Sequence, residues 1–214
     1  MSLEVPGERR RPAGAWRVIT STDAPGWLEM PDTGDASADE AWLAEREAGA
    51  RRAFGDRWTE RHDELVPVLL RAGLDRREPG DLIAWQVWPL ALPLSATVQV
   101  RVVPSGAADL LAQGEGSTVQ PYSSPGLGEG VQVHATTRHD AAPELLVATT
   151  AFVFDDGDAA VVITVAPTPL ELLAFASPGV RDIVDRMALT RPDGTGFRGI
   201  GSDRFIDAEA WSAA

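Results

Sequence analysis

Three histidines are the first residues to test for chemistry. His62 lies among Glu60, Asp63 and Glu64, and a histidine beside a carboxylate can act as a general base or ligate a metal. It has no second histidine four residues on and no H-E-x-x-H frame, so we read it as a structural histidine at the edge of the core. His134 falls on a strand, and His139-Asp140 falls at the next turn. The two meet only across a hairpin bend, which is a poor donor set for a metal. Asp155, Asp156 and Asp158 put carboxylates close together, as calcium prefers, but the full D-x-D-x-D-G loop and its distal glutamate are missing. A solvated hairpin turn is expected there. No G-x-S-x-G elbow mounts a serine, and with no cysteine there is no thiol chemistry. Gly126-Leu127-Gly128-Glu129-Gly130 has the glycine spacing of a dinucleotide loop. That loop needs a strand before it and a helix after it, whereas here a strand follows and Glu129 would repel phosphate. A hairpin loop is expected. No pair of carboxylates is fixed face to face, so a glycosidase reading has no anchor. These residues predict no catalytic site, no metal and no cofactor.

The seven tryptophans carry more information. Trp85 and Trp88 stand three apart on a strand and so point to opposite faces. Trp42 and Trp58 are expected to pack a long helix onto the sheet. The alternative to core packing is that Trp27, Trp58, Trp88 or Trp211 stands exposed as a binding anchor, since aromatic anchors dominate binding hot spots. Trp27, Trp58, His62, Trp85 and Trp88 are therefore the candidate binding residues.

These side chains must be positioned by elements that the pattern also predicts. Trp16 to Met30 reads as a short hairpin turning at Asp23-Ala24-Pro25-Gly26. Ser37-Ala38-Asp39-Glu40 is a capping box. It opens a helix extending toward Ala72, interrupted at Gly55 and at Pro67, which imposes a kink or a break near Asp63 to Val66, with a stop at Gly73. Asp81 to Trp88 is a strand apolar on both faces, hence central. Ala96 to Val103 alternates, with Val98, Val100 and Val102 opposite Thr97, Gln99 and Arg101. One or two helical turns are expected over Ala107 to Gln113. Gly130 to Arg138, Glu144 to Phe154 and Ala159 to Ala166 are further strands, the last two a hairpin. Thr168-Pro169-Leu170-Glu171 is a second capping box, and Ser177-Pro178 is expected to open another helix with Val180, Ile183, Val184 and Met187 inward. Strands follow strands, which predicts an α+β fold: an antiparallel sheet with helices packed on its faces. Residues 1–14 and 191–214 are expected to be flexible tails around a single domain, 15–190.

The chain has 214 residues and 44% hydrophobic residues, enough for a core that needs no staple. Its bases are all arginine and it lacks asparagine, a bias expected of GC-rich, actinobacterial coding. No apolar run has membrane-helix length, and no apolar stretch follows Arg9-Arg10-Arg11, so a secretory signal is not expected. The net charge of −13 disfavours nucleic acid and anionic lipid and suits a basic protein partner. The expected compartment is the cytoplasm.

Two stretches carry a resemblance. One is the opening hairpin of Trp16 to Met30. The other is the long hairpin Val147–Phe154 and Val161–Val165 followed by the helix through Ile183-Val184-Asp185-Arg186-Met187. In this order of elements the chain resembles the PsbP-like α/β/α sandwich, over roughly its second half. The long tryptophan-bearing helix departs from the simplest members. The resemblance implies a mostly non-catalytic family of scaffolds, secretion chaperones and partner-binding subunits, with no shared catalytic set to carry over. The leading expectation is a non-catalytic acidic protein-binding module: an adaptor, chaperone or immunity-like protein near a secretion or toxin system. The alternative is a small-molecule binder or undescribed enzyme with a pocket between the sheet and the long helix, near Trp58, His62 and Trp85.

Overall fold

A computed structural model describes residues 15–20, 24–32, 35–89, 93–106, 117–139 and 142–201. Its elements in chain order are β1 (Arg17–Ile19), β2 (Trp27–Glu29), α1 (Ala36–Phe54), a 3-10 turn (Gly55–Arg57), α2 (Glu60–Asp75), β3 (Asp81–Val87) and β4 (Ala96–Pro104). They continue with β5 (Ser117–Ser124), β6 (Gly128–His139), β7 (Ala142–Asp155), β8 (Ala159–Pro169), α3 (Leu170–Arg186), β9 (Ala188–Thr190) and β10 (Gly199–Ile200). The fold is α+β. An antiparallel sheet runs β5-β6-β7-β8-β4-β3-β2, with β10 added parallel to the start of β6. β1 and β9 form a separate two-stranded pair.

The alternating apolar residues of the central strands give the sheet two buried faces. On one face Trp85, Val87, Val98, Val100, Phe152, Phe154, Val161, Ile163 and Val165 meet Leu172, Leu173, Ala176, Val180, Ile183 and Val184 of α3. Each larger side chain taken out of water there contributes about 1.5–3 kcal/mol. On the other face α2 lays Val66, Leu70 and Leu74 over Ala84 and Trp88, with Met30 and Trp42 closing the cluster. Further along that face Val131, Val133, Ala151, Val153, Ala160 and Val162 form a third buried cluster, to which no described helix contributes.

Several elements depart from the sequence expectation. The opening hairpin does not form: β1 pairs with β9 and β2 with β3, which removes one of the two features behind the family resemblance. The first helix starts one residue after Asp35, whose carboxylate accepts from the Ser37 and Ala38 N–H groups. Of the two expected interruptions it ends at the first, Gly55, where φ is +53°, a conformation that favours glycine. Pro67 lies inside α2 and costs only the bond to the carbonyl of Asp63, an exposed residue. Gly73 does not stop α2; it is buried within it. Ser177-Pro178 opens no new helix, because α3 runs unbroken from Leu170 to Arg186 and Ser177 Oγ donates back to the Leu173 carbonyl. The packed chain also continues past Thr190. Phe197 is buried, and Gly199 and Ile200 pair with Gly128 and Glu129. The segment Ala107 to Gln113 and Trp211 lie outside the described residues.

Candidate functional site

The five candidate binding residues do not converge. Trp85 is buried on the α3 face, where its ring meets Trp27 edge-on at 6.4 Å. Trp27 sits on the edge strand β2 and is half-buried, because its indole lies against Gly179 of α3 with no room for a β-carbon between them. Trp88 points to the opposite face, into the α2 cluster. Its Nε1 is buried and finds no acceptor among the described residues.

Trp58 and His62 sit at the α1–α2 junction and work as its clasp. Trp58 Nε1 donates to Asp63 Oδ1 at 2.9 Å, and the Arg51 guanidinium lies 4.7 Å over the indole while pairing with the same carboxylate. The Trp58 hydrogen bond is the main reason the Asp63 carboxyl stays below its ordinary range, with Arg51 adding to it. His62 Nδ1 accepts the Thr59 N–H at 3.1 Å and lies 2.8 Å from Thr59 Oγ1. It thereby closes a capping box in which histidine replaces the usual glutamate. Phe54 packs edge-on against Trp58 and at a tilt against His62. Between α2 and the sheet the packing is close. Gln86, fully buried, packs on Gly73 and donates to the Leu69 carbonyl at 2.6 Å and to Ser95 Oγ at 2.9 Å.

Polar side chains converge elsewhere, along the seam where α3 passes over β5 and β6. Residues 118, 120 and 122 of β5 face the same side as 130, 132 and 134 of β6, as strand alternation and the register require. Gln132 is buried, and its Oε1 accepts from Gln120 Nε2 at 2.9 Å and from an Arg181 guanidinium nitrogen at 3.3 Å. His134 Nδ1 lies 2.8 Å from the hydroxyl of buried Thr150. Burial, and then the nearby Arg181 charge, hold His134 below the usual histidine range. Tyr122 OH donates to Asp185 Oδ1 at 2.9 Å. Burial first and this bond second push its phenol well above the ordinary tyrosine range.

The seam offers donors and a fixed positive charge. His134 is engaged by a threonine and Tyr122 by an aspartate. Sequence reasoning placed His134 on a strand but missed its neighbours. Pro121 and the polar run around it hid β5, and without β5 nothing brought Gln120 and Tyr122 beside β6. The β7–β8 turn is a second polar centre and is structural: Asp155 accepts from Ser105 Oγ at 2.9 Å and from the Gly157 N–H at 2.8 Å, while Asp156 pairs with Arg191. Among the described residues no group of three or more metal-ligating side chains gathers, and no helix is long and apolar enough to cross a membrane. No protein-family model matches the chain, and no curated protein matches it by sequence.

Proposed function

We propose that this chain is a non-catalytic binding module that engages a basic protein segment through the outer face of α1. The observation that carries the reading is the poverty of that helix's own burial. α1 is 19 residues long and buries only Trp42 and Phe54. Trp42 ties it to β2 through Nε1 donating to the Glu29 carbonyl at 2.9 Å, and Phe54 ties it to the α2 clasp. A helix of this length spans about 28 Å. The sheet core already has α2 and α3, so α1 presents much more surface than its anchoring uses. Its outer side carries exposed Ala41, Ala44 and Ala48, and a shallow open depression lined by Ala44, Glu47, Ala48, Arg51 and Arg52. Small side chains of this kind let a partner backbone come close, and the chain's −13 charge steers a basic one inward.

An adaptor, chaperone or immunity-like role in the cytoplasm fits this reading, and the cysteine-free composition makes no demand for an oxidising compartment. The closing β7–β8 hairpin followed by α3 is the part of the PsbP-like resemblance that still supports it. The test is a pull-down of the tagged chain from its own lysate at low and high salt, beside an Ala44→Arg/Ala48→Arg variant. The expected result is a basic partner retained at low salt, lost at high salt and lost with the variant. Equal recovery by both proteins, or no partner at either salt, would overturn the reading.

A further inference from the structure

The seam between α3 and β5–β6 contains a cation that the fold leaves without an anion. Arg181 projects from α3, and among the described residues no carboxylate lies within ion-pairing distance of it. Asp185 stands four residues further on, where a helix ordinarily supplies such a pair, but it accepts the Tyr122 hydroxyl instead. Arg181 turns toward the sheet and rests on the buried oxygen of Gln132, which Gln120 holds in place. Two residues along the same face of β6, the His134 ring is fixed through Nδ1 to Thr150, and its Nε2 has no partner among the described residues. The fold thus orients a guanidinium, held only by a neutral amide oxygen, and a ring nitrogen over one stretch of sheet, and among the described residues no carboxylate pairs with either.

The geometry points to a binding site for an oxyanion here, the carboxylate or phosphate of a small ligand, with Arg181 as the charge and His134 Nε2 and Gln120 as flanking donors. Arginine suits this role because its planar fork of N–H groups matches the paired oxygens of such anions and is always charged. The direction in which His134 titrates agrees. Burial and the unpaired Arg181 keep the ring neutral, and an anion beside the guanidinium cancels that repulsion and favours the protonated ring, which then donates through Nε2. The other charged or titratable groups on this side are Asp185 of α3, Tyr122 of β5 and Arg138 of β6 itself; β7 contributes the neutral Thr150. The site rests on a different surface from α1 and stands or falls independently of the proposed protein partner.

The experiment is a nuclear magnetic resonance titration of the histidine rings of the full chain at constant ionic strength, in sodium chloride alone, with inorganic phosphate and with acetate. A rise of about 1 pH unit in the His134 midpoint is expected with one of the two anions, equivalent to roughly tenfold tighter binding to the protonated ring. His62 should not move. A response to phosphate alone identifies a phosphate ligand, and a response to acetate alone identifies a carboxylate. Arg181→Gln should abolish the response, and Gln120→Ala, on an exposed edge strand, should weaken it. No response to either anion, equal movement of all three histidines, or a response undiminished in Arg181→Gln would overturn the assignment.

Discussion

Glycine inside a helix usually lowers stability, so Gly73→Ala would ordinarily be expected to strengthen α2 by about 0.5–1 kcal/mol. The structure predicts the opposite sign. A β-carbon at Gly73 would lie 2.6, 2.7 and 2.9 Å from the Cδ, Nε2 and Oε1 atoms of Gln86, closer than side chains tolerate. Gln86 is fully buried and pinned to the Leu69 carbonyl and Ser95 Oγ, so it cannot simply swing away. If α2 moves off the sheet to make room, overpacking costs about 1–3 kcal/mol. If Gln86 turns instead, it gives up two hydrogen bonds of about 1 kcal/mol each and leaves a buried amide unsatisfied. Either route outweighs the helix gain. Gly73→Ala should therefore destabilise by about 1–2 kcal/mol, a fall in Tm of roughly 2–8 °C for a chain of this size. Urea unfolding followed by circular dichroism measures this. The second arm is decisive: in a Gln86→Ala background the obstruction is gone, and Gly73→Ala should become neutral or stabilising. A Gly73→Ala protein as stable as the parent, or the same loss in both backgrounds, would refute the account of this interface.

Three other outcomes follow from the hydrogen-bond and charge networks. Asp81 has a fully buried carboxylate that accepts from the Glu78 N–H and from Gln99 Nε2, both at 2.8 Å, and pairs with Arg101. Asp81→Ala should cost about 3 kcal/mol in urea unfolding, the low end for a broken buried pair because Arg101 keeps Glu78 at 3.0 Å. Asp63 has a lowered folded pKa, so the clasp's contribution is present above the ordinary carboxylate range and is lost as pH falls through the folded value. The Trp58 indole resonance should shift only below about pH 4, and Asp63→Asn should remove that shift. Tyr122 is the single tyrosine, and its pKa is raised, so its contribution is complete below about pH 10 and is lost as pH rises through the folded value. Near-ultraviolet absorbance should show it ionising only above that point, and Asp185→Asn should lower the midpoint while leaving the part due to burial.

The central sheet was legible in the sequence because its residues alternate without ambiguity. Val98 and Val100 against Thr97, Gln99 and Arg101 gave β4 and its faces correctly, and the spacing of Trp85 and Trp88 placed them on opposite sides. Local signals failed where tertiary contacts override them. Pro67 was read as a kink or break and Ser177-Pro178 as the start of a new helix, yet both helices run on because their apolar faces are held by the sheet. Short strands β1 and β2 look like a hairpin because they are adjacent in sequence, while their partners are β9 and β3. The seam was illegible for a related reason. Arg181 and Gln132 are ordinary polar residues on an amphipathic helix and a strand, and only the crossing of α3 over β6 brings them together.

The position of β8 has a consequence for how the molecule assembles. Strands β5 to β8 form a continuous meander and β2 to β4 a second group, and the two groups meet only where β4 lies beside β8, with Val98 opposite Val165 and Pro104 opposite Ala159. Short connections can bring β5 to β8 together, and β3 and β4 together, early, whereas β2 reaches β3 only across α1 and α2. The β4–β8 seam must await the encounter of two distant stretches, whose loop-closure entropy is the larger barrier. Folding should therefore end with a zipping of β4 onto β8, and global opening should begin there. The amides that cross this one ladder would exchange with solvent as a single cooperative set, marking the boundary between two halves that act as separate folding units within one sheet.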